Sequence, residues 1–103
     1  MKGIITKYNE NCMFCGKPTR TQHHFLFGWG ERQLADEDGI KGPMCDDCHN
    51  IGELIQRIHG NIAAEKLSKM VGQLAWEKHA VAEGMTEDEA REAFRKRYKR
   101  SYI

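Results

Sequence analysis

The sequence predicts a small α+β domain built around a metal site. Three observations carry this reading. Two Cys-x2-Cys turns stand at Cys12–Cys15 and Cys45–Cys48, strand-like segments precede and separate them, and helical periodicity takes over after residue 49. At 103 residues the chain is bounded to one domain. Residues 1–60 would form its core and residues 61–103 a helical extension of the same domain.

The elements follow in order. Residues 2–8 suit a short strand. Residues 9–19 hold Gly16 and Pro18 just after the first cysteine pair, which reads as a tight metal-binding turn. Residues 20–27, RTQHHFLF, are rich in Thr and aromatics and suit a second strand. Residues 28–43 carry Gly28, Gly30, Gly39, Gly42 and Pro43 and are expected to form a loop, with room for a helical turn over Glu31–Asp38. Beyond the second cysteine pair, Ile51, Leu54, Ile55 and Ile58 recur at helical spacing and predict a helix over 49–58, interrupted at Gly60-Asn61. A longer helix is expected over 62–83, with Leu67, Met70, Val71 and Leu74 as its core-facing stripe and Gly84 as its stop. Thr86 and Glu89 fit a capping box that opens a last helix, in which Ala90, Ala93, Phe94 and Tyr98 would face inward.

Composition narrows the class. The chain is 40% hydrophobic and 30% charged, ordinary for a globular domain. Surface is large relative to volume at this size, so a metal staple would add to the core. No apolar run approaches the roughly 20 residues that span a bilayer. The first ten residues, MKGIITKYNE, have neither a long apolar stretch nor a small-residue cleavage site. A cytoplasmic protein with no membrane partner is expected, and there four cysteines are metal ligands rather than disulfides. The formal net charge is only +1, but residues 91–103 hold six basic residues against the single acid Glu92. Such a tail can hold phosphates or can be a solvated helix face.

The cysteine pairs are separated by 29 residues. Two residues between cysteines let both thiolates reach one ion from a single turn, and two such turns complete a tetrahedral structural Zn2+ site from Cys12, Cys15, Cys45 and Cys48. A site of this kind ties folding to metal loading and does not by itself imply catalysis. Four of the five histidines fall near these turns: His23 and His24 between the pairs, His49 directly after Cys48, and His59 ten residues on. His79 lies on the long helix, where no role is expected. Strand neighbours point to opposite faces, so only a twisted or bulged strand end would bring both His23 and His24 to one site.

Cys-x2-Cys, then His-His on a strand, then Cys-x2-Cys-His entering a helix, resembles the HNH nucleases over residues 12–59. The remainder, with QLAWEK at 73–78 and FRKRYKRSYI at 94–103, is similar to the helical tails of small phage- and prophage-type HNH proteins and to phage recombination-enhancing nucleases. The resemblance implies a ββα-metal HNH core with a four-cysteine zinc ribbon, and a DNA endonuclease that nicks or cuts both strands. It implies His23 and His49 as ligands of a catalytic divalent cation and His24 as general base. Two candidates stand for the third ligand, His59 and, one helical turn after His49, Glu53, the former preferred; a water or substrate phosphate can also fill the position. Mg2+ or Mn2+ is the cation expected first, Zn2+ or Ni2+ next. Arg20, Arg32, Arg95, Arg97 and Arg100 would contact DNA phosphates. A homodimer and phage recombination or packaging proteins are the further partners implied. One departure concerns the family's middle Asn, whose place falls at Ile40 here. Asp36, Glu37 or Asp38 would then brace the loop, or the loop is built differently.

The chemistry fits this assignment. Phosphodiester hydrolysis needs an activated water, which a histidine base supplies, and neutralisation of charge on the phosphate, which a divalent ion supplies. The alternative is a non-catalytic zinc-ribbon module that binds DNA or protein. It accounts for the cysteines and the basic tail but gives no reason for His23, His24 and His49. An effector nuclease would use the same chemistry, but no translocation segment is visible.

Overall fold

The computed structural model describes residues 1–103 as an α+β fold in which a two-stranded sheet is covered by helices. Strand β1 (Gln22–His24) pairs antiparallel with β2 (Lys41–Pro43), with Gln22 opposite Pro43, His23 opposite Gly42 and His24 opposite Lys41. Helix α1 (Glu31–Asp38) lies between them in sequence. A π-type turn (Asp47–Ile51) follows the second cysteine pair, then α2 (Ile62–Ala82) and α3 (Glu87–Tyr98).

The expected strand over residues 2–8 does not form. That segment is held to the fold by a backbone bond from Ile4 N–H to the Gly39 carbonyl at 2.8 Å, without a ladder. The region expected as a loop over 28–43 is more ordered than its glycines suggest. Gly30 and Gly39 take left-handed φ values of 73° and 74° at the two ends of α1, where a Cβ is disfavoured. The glycines thus punctuate a helix instead of unravelling it.

The helix expected over 49–58 is replaced by the π-type turn and a run of tight turns. Gly52 N–H bonds the Asp47 carbonyl across five residues, and Arg57 ties the loop by donating to the carbonyls of His59 and Gly52. Of the four residues at helical spacing only Ile58 is buried, while Ile51, Leu54 and Ile55 are exposed. The return of the chain is fixed by two backbone bonds, Ile58 N–H to the Cys48 carbonyl and His59 N–H to the His49 carbonyl, each 3.0 Å.

Helix α2 forms over the expected span but turns a different face inward. Leu67, Met70, Val71 and Leu74 are exposed, and Ser68, Gly72, Gln73 and Ala80 are buried. The reason is close approach. A Cβ built on Gly72 would lie 2.9 Å from Leu26 Cγ and 3.1 Å from Phe25 Cβ, so only a small-residue face lets α2 reach the segment that follows β1. The Asn61 side chain caps its start by accepting from Ala64 N–H. Helix α3 opens with the expected capping box of Thr86 and Glu89, and Ala90, Phe94 and Tyr98 are buried while Ala93 is half-buried. One apolar cluster joins the two parts of the chain, with Leu26, Ile40, Met44 and Ile58 packed with Phe94 and Tyr98. No helix is long and apolar enough to cross a membrane.

Candidate metal centre

Two groups of metal-ligating side chains converge. The first is Cys12, Cys15, Cys45 and Cys48, whose sulfurs lie within 4.8 Å of one another. Each pair sits on a turn the local sequence dictates. Gly16 takes φ 80°, and the Lys17 carbonyl receives Cys12 N–H at 2.7 Å, closing the first knuckle. Met13 N–H bonds the Pro43 carbonyl, which ties that knuckle to β2. Cys15 and Cys45 bring their sulfurs to 3.5 Å. Zinc–sulfur bonds of about 2.3 Å put the sulfurs of a tetrahedral site about 3.8 Å apart, so the cluster is compatible with a zinc site. Burial alone would raise the Cys12 thiol, but hydrogen bonds from the backbone around Cys45, Cys15 and Phe14 outweigh it and bring the thiol down to about 6. Burial pushes the Cys48 thiol up to about 12.

The second group is His23, His49 and His59, each with a ring nitrogen within 4.8 Å of the others. His23 is fully buried on β1. His49 rides on the π-type turn, and His59 is brought opposite it by the two backbone bonds that return the chain to Cys48 and His49. The Nε2 atoms of His49 and His59 face each other at 3.0 Å. Two nitrogens bound to one ion at about 2.1 Å lie about 3 to 3.4 Å apart. His23 Nδ1 is buried and has no hydrogen-bond partner, an unusual state for a polar atom unless another ligand serves it. The three side chains thus form a group able to hold a metal ion. Burial, and then the neighbouring imidazoles of His49, His59 and His24, bring His23 down to about 3. Burial, with His59 next, also lowers His49.

Three residues the sequence did not single out complete the surroundings. Ser68 Oγ lies 2.7 Å from His23 Nε2, and Glu65 Oε2 lies 3.2 Å from His59 Nδ1. Phe27 sets its ring edge-on to His59 and His23. Before folding, Glu65 is one charge among many on a long helix, and Ser68 is a small residue beside an apolar stripe. Nothing local marks either.

The remaining sequence-predicted residues take other places. His24 stands apart from the cluster: its Nε2 bonds Asp36 Oδ1 at 2.9 Å, on which Lys41 also converges. Asp36 is one of the three acids expected to brace the loop. The hydrogen bonds from His24 and Lys41 hold its carboxyl far below the usual range. His24 lies close enough to lower His49 electrostatically, as does Arg32. Glu53 is exposed and outside the histidine cluster; its carbonyl, not its carboxylate, is used, receiving the N–H groups of Gln56 and Arg57. His79 is exposed beside Glu83. Arg20 is exposed. In the basic tail, Arg97 is engaged by Asp38 through two bonds of 2.7 Å, and Arg100 stands over the Tyr102 ring at 5.9 Å. Arg95 is exposed.

Comparison with protein-family models, with curated proteins and with solved structures found no match for the chain.

Proposed function

We propose that the protein is a metal-dependent endonuclease of the HNH kind that hydrolyses DNA phosphodiester bonds. The observation that carries the proposal is the convergence of His23, His49 and His59, the first with a buried and unpartnered ring nitrogen, beside a strand neighbour, His24, that is oriented by a carboxylate. The four cysteines would hold a structural zinc that links the first knuckle to the π-type turn carrying His49. His23, His49 and His59 would hold the second ion. Once bound, a divalent ion supplies charge neutralisation at a phosphate oxygen.

The donor set bears on which ion that is. It holds three imidazole nitrogens and no carboxylate, with Glu53 left outside. Imidazole suits zinc, nickel and their neighbours, whereas magnesium and manganese favour oxygen ligands. The arrangement supports Zn2+ or Ni2+ over the Mg2+ or Mn2+ expected from the sequence.

His24 takes the general-base role in this reading. Asp36 accepts its Nε2–H, which leaves the Nδ1 lone pair to receive a proton from an attacking water. Asp36 also steadies the imidazolium that results, as a carboxylate does behind a histidine base. Arg32, in electrostatic range of His49, is the exposed cation best placed to meet a phosphate.

The test is cleavage of supercoiled plasmid by the purified full-length protein, with zinc, nickel, manganese and magnesium each added, and with chelator as control. Nicked or linear product that depends on both metal and His24 supports the proposal. If no metal gives cleavage of any DNA form, the zinc-ribbon binding module becomes the better reading.

A further inference from the structure

We propose that Glu65 and Ser68, one turn apart on α2, are positioning residues that select which nitrogen His59 and His23 turn toward the metal. The site would then be completed by α2 and not by the cysteine-bearing half alone. This rests on reading the histidine cluster as a metal site.

A neutral imidazole carries its hydrogen on one nitrogen and a lone pair on the other, so the partner of the first decides which atom can bind a metal. Ser68 has one hydroxyl hydrogen, and it goes to the Phe25 carbonyl at 3.0 Å. Its oxygen must therefore accept from His23 Nε2–H at 2.7 Å. That leaves Nδ1 of His23 as the bare nitrogen, the same atom that is buried without a protein partner. Glu65 can only accept. Taking His59 Nδ1–H at 3.2 Å, it leaves the lone pair on His59 Nε2, the atom that faces His49. The two hydrogen bonds thus leave His23 Nδ1 and His59 Nε2 as the bare nitrogens of two rings in one cluster.

Residues three apart on a helix share a face, so a single docking of α2 sets both bonds. Gly72 on the same helix allows the approach to Phe25 and Leu26. Had α2 docked through Leu67, Val71 and Leu74 instead, neither bond would form. Charge adds to geometry. Three neutral nitrogens leave a divalent ion uncompensated, and the Glu65 carboxylate, bonded to one of the rings, returns negative charge to the site. Partners behind metal-bound histidines act in this way, and their loss typically weakens metal binding about 10- to 100-fold.

The experiment uses full-length protein with its cysteines loaded with zinc, titrated with cobalt(II) and followed by calorimetry and visible absorption. Cobalt on nitrogen ligands lacks the intense sulfur-to-metal bands it shows on thiolates, so the two sites are told apart. Glu65→Ala and Ser68→Ala should each bind cobalt about 10- to 100-fold more weakly. Glu65→Gln, which keeps an acceptor but loses the charge, should fall between. Ser68→Thr should restore binding. Ring-nitrogen NMR of the metal-free protein should find His23 protonated on Nε2, and Ser68→Ala should shift that tautomer, which a purely structural role would not do. If the variants fold and bind cobalt as tightly as the wild type, or if His23 carries its proton on Nδ1, the proposal is overturned. Should Ser68→Ala fail to fold, Glu65→Ala and Glu65→Gln decide the matter, since Glu65 is partly exposed near the helix start. Wild-type protein that takes up no ion beyond its zinc would instead overturn the metal reading of the histidines, and this inference with it.

Discussion

His49 and His59, ten residues apart in sequence, meet through their Nε2 atoms at 3.0 Å. Their approach is forced by the backbone: the His59 N–H bonds the His49 carbonyl, and the residues before each, Ile58 and Cys48, are paired in the same way. A cysteine of the first metal group and a histidine of the second are thus neighbours on one turn. Losing the cysteine group should therefore disturb the histidines, whereas losing one histidine side chain leaves the backbone of the turn in place. His49→Ala should keep the fold and the cysteine-bound ion but weaken binding of the second ion. Raising the concentration of added metal should then recover part of any cleavage.

The cysteine cluster makes its own prediction. Cys45 is buried and its sulfur lies 3.5 Å from that of Cys15. Cys45→Ser should remove the tightly held ion and lower the thermal midpoint of the whole chain, because the cluster joins the first knuckle to the histidine-bearing turn. Elemental analysis of purified protein should find about one ion per chain lost relative to wild type. A zinc-free variant with an unchanged midpoint would contradict the structural role.

His24 and Asp36 form a pair with separable roles. On the general-base reading, His24→Ala should retain both ions and DNA binding yet lose cleavage on the order of 10²- to 10⁴-fold. Asp36→Asn should cost less, because the ring survives and only its orientation and charge support are weakened. Added imidazole should restore some activity to His24→Ala, and added metal should not. Equal cleavage by His24→Ala and wild type would remove His24 from the mechanism.

Acid should destabilise the fold through His23. Its value is depressed to about 3 from an ordinary 6.5. Between those values the unfolded chain binds a proton that the folded chain does not, so stability falls as pH drops through this window. The check is urea unfolding between pH 7 and pH 5 with the histidine site metal-free. His23→Gln should show a shallower loss than wild type over the same range. The comparison between the two cancels the acid sensitivity of the cysteine cluster, common to both.

The basic tail divides into residues with different duties. Arg97 forms a two-point contact with Asp38, which also receives Trp76 Nε1–H and the Tyr98 hydroxyl. Arg97→Ala should therefore destabilise the protein by about 1 kcal/mol or less, because the ion pair is partly exposed to solvent. Arg95→Ala should leave the thermal midpoint unchanged, because its side chain lies on the exposed face of α3. If Arg95 touches phosphate, its loss should flatten the salt dependence of DNA binding by about one ion.

Gly72 tests the docking of α2. On an exposed helix, Gly→Ala stabilises by about 1 kcal/mol. Here the new Cβ would meet Leu26 Cγ at 2.9 Å, Phe25 Cβ at 3.1 Å and Ile40 Cγ2 at 3.2 Å. Overpacking of this kind costs about 1 to 3 kcal/mol, so the net effect should be destabilising. Calorimetric unfolding reads it directly, and a higher midpoint would show that the helix can retreat without loss.

Features determined by a few adjacent residues were legible before folding. The two cysteine knuckles follow from Cys-x2-Cys, the first with Gly16 able to take positive φ, the capping box follows from Thr86 and Glu89, and the span of α2 follows from its start and stop signals at Asn61 and Gly84. What periodicity could not decide is which face of an amphipathic helix goes inward. The pattern of Leu67, Met70, Val71 and Leu74 pointed one way, yet the small residues Ser68 and Gly72 face the core, because close backbone approach and a buried bond to His23 outweigh the burial of larger side chains. The same holds for residues 49–58, whose helical spacing yields to the backbone bonds that bring His59 to His49. Spacing reports only neighbours along one element. The partners of His23, His24 and His59 come from other elements, at Ser68, Asp36 and Glu65, so only the packing of α1 and α2 against the sheet and the returning loop decided how the candidate site is assembled.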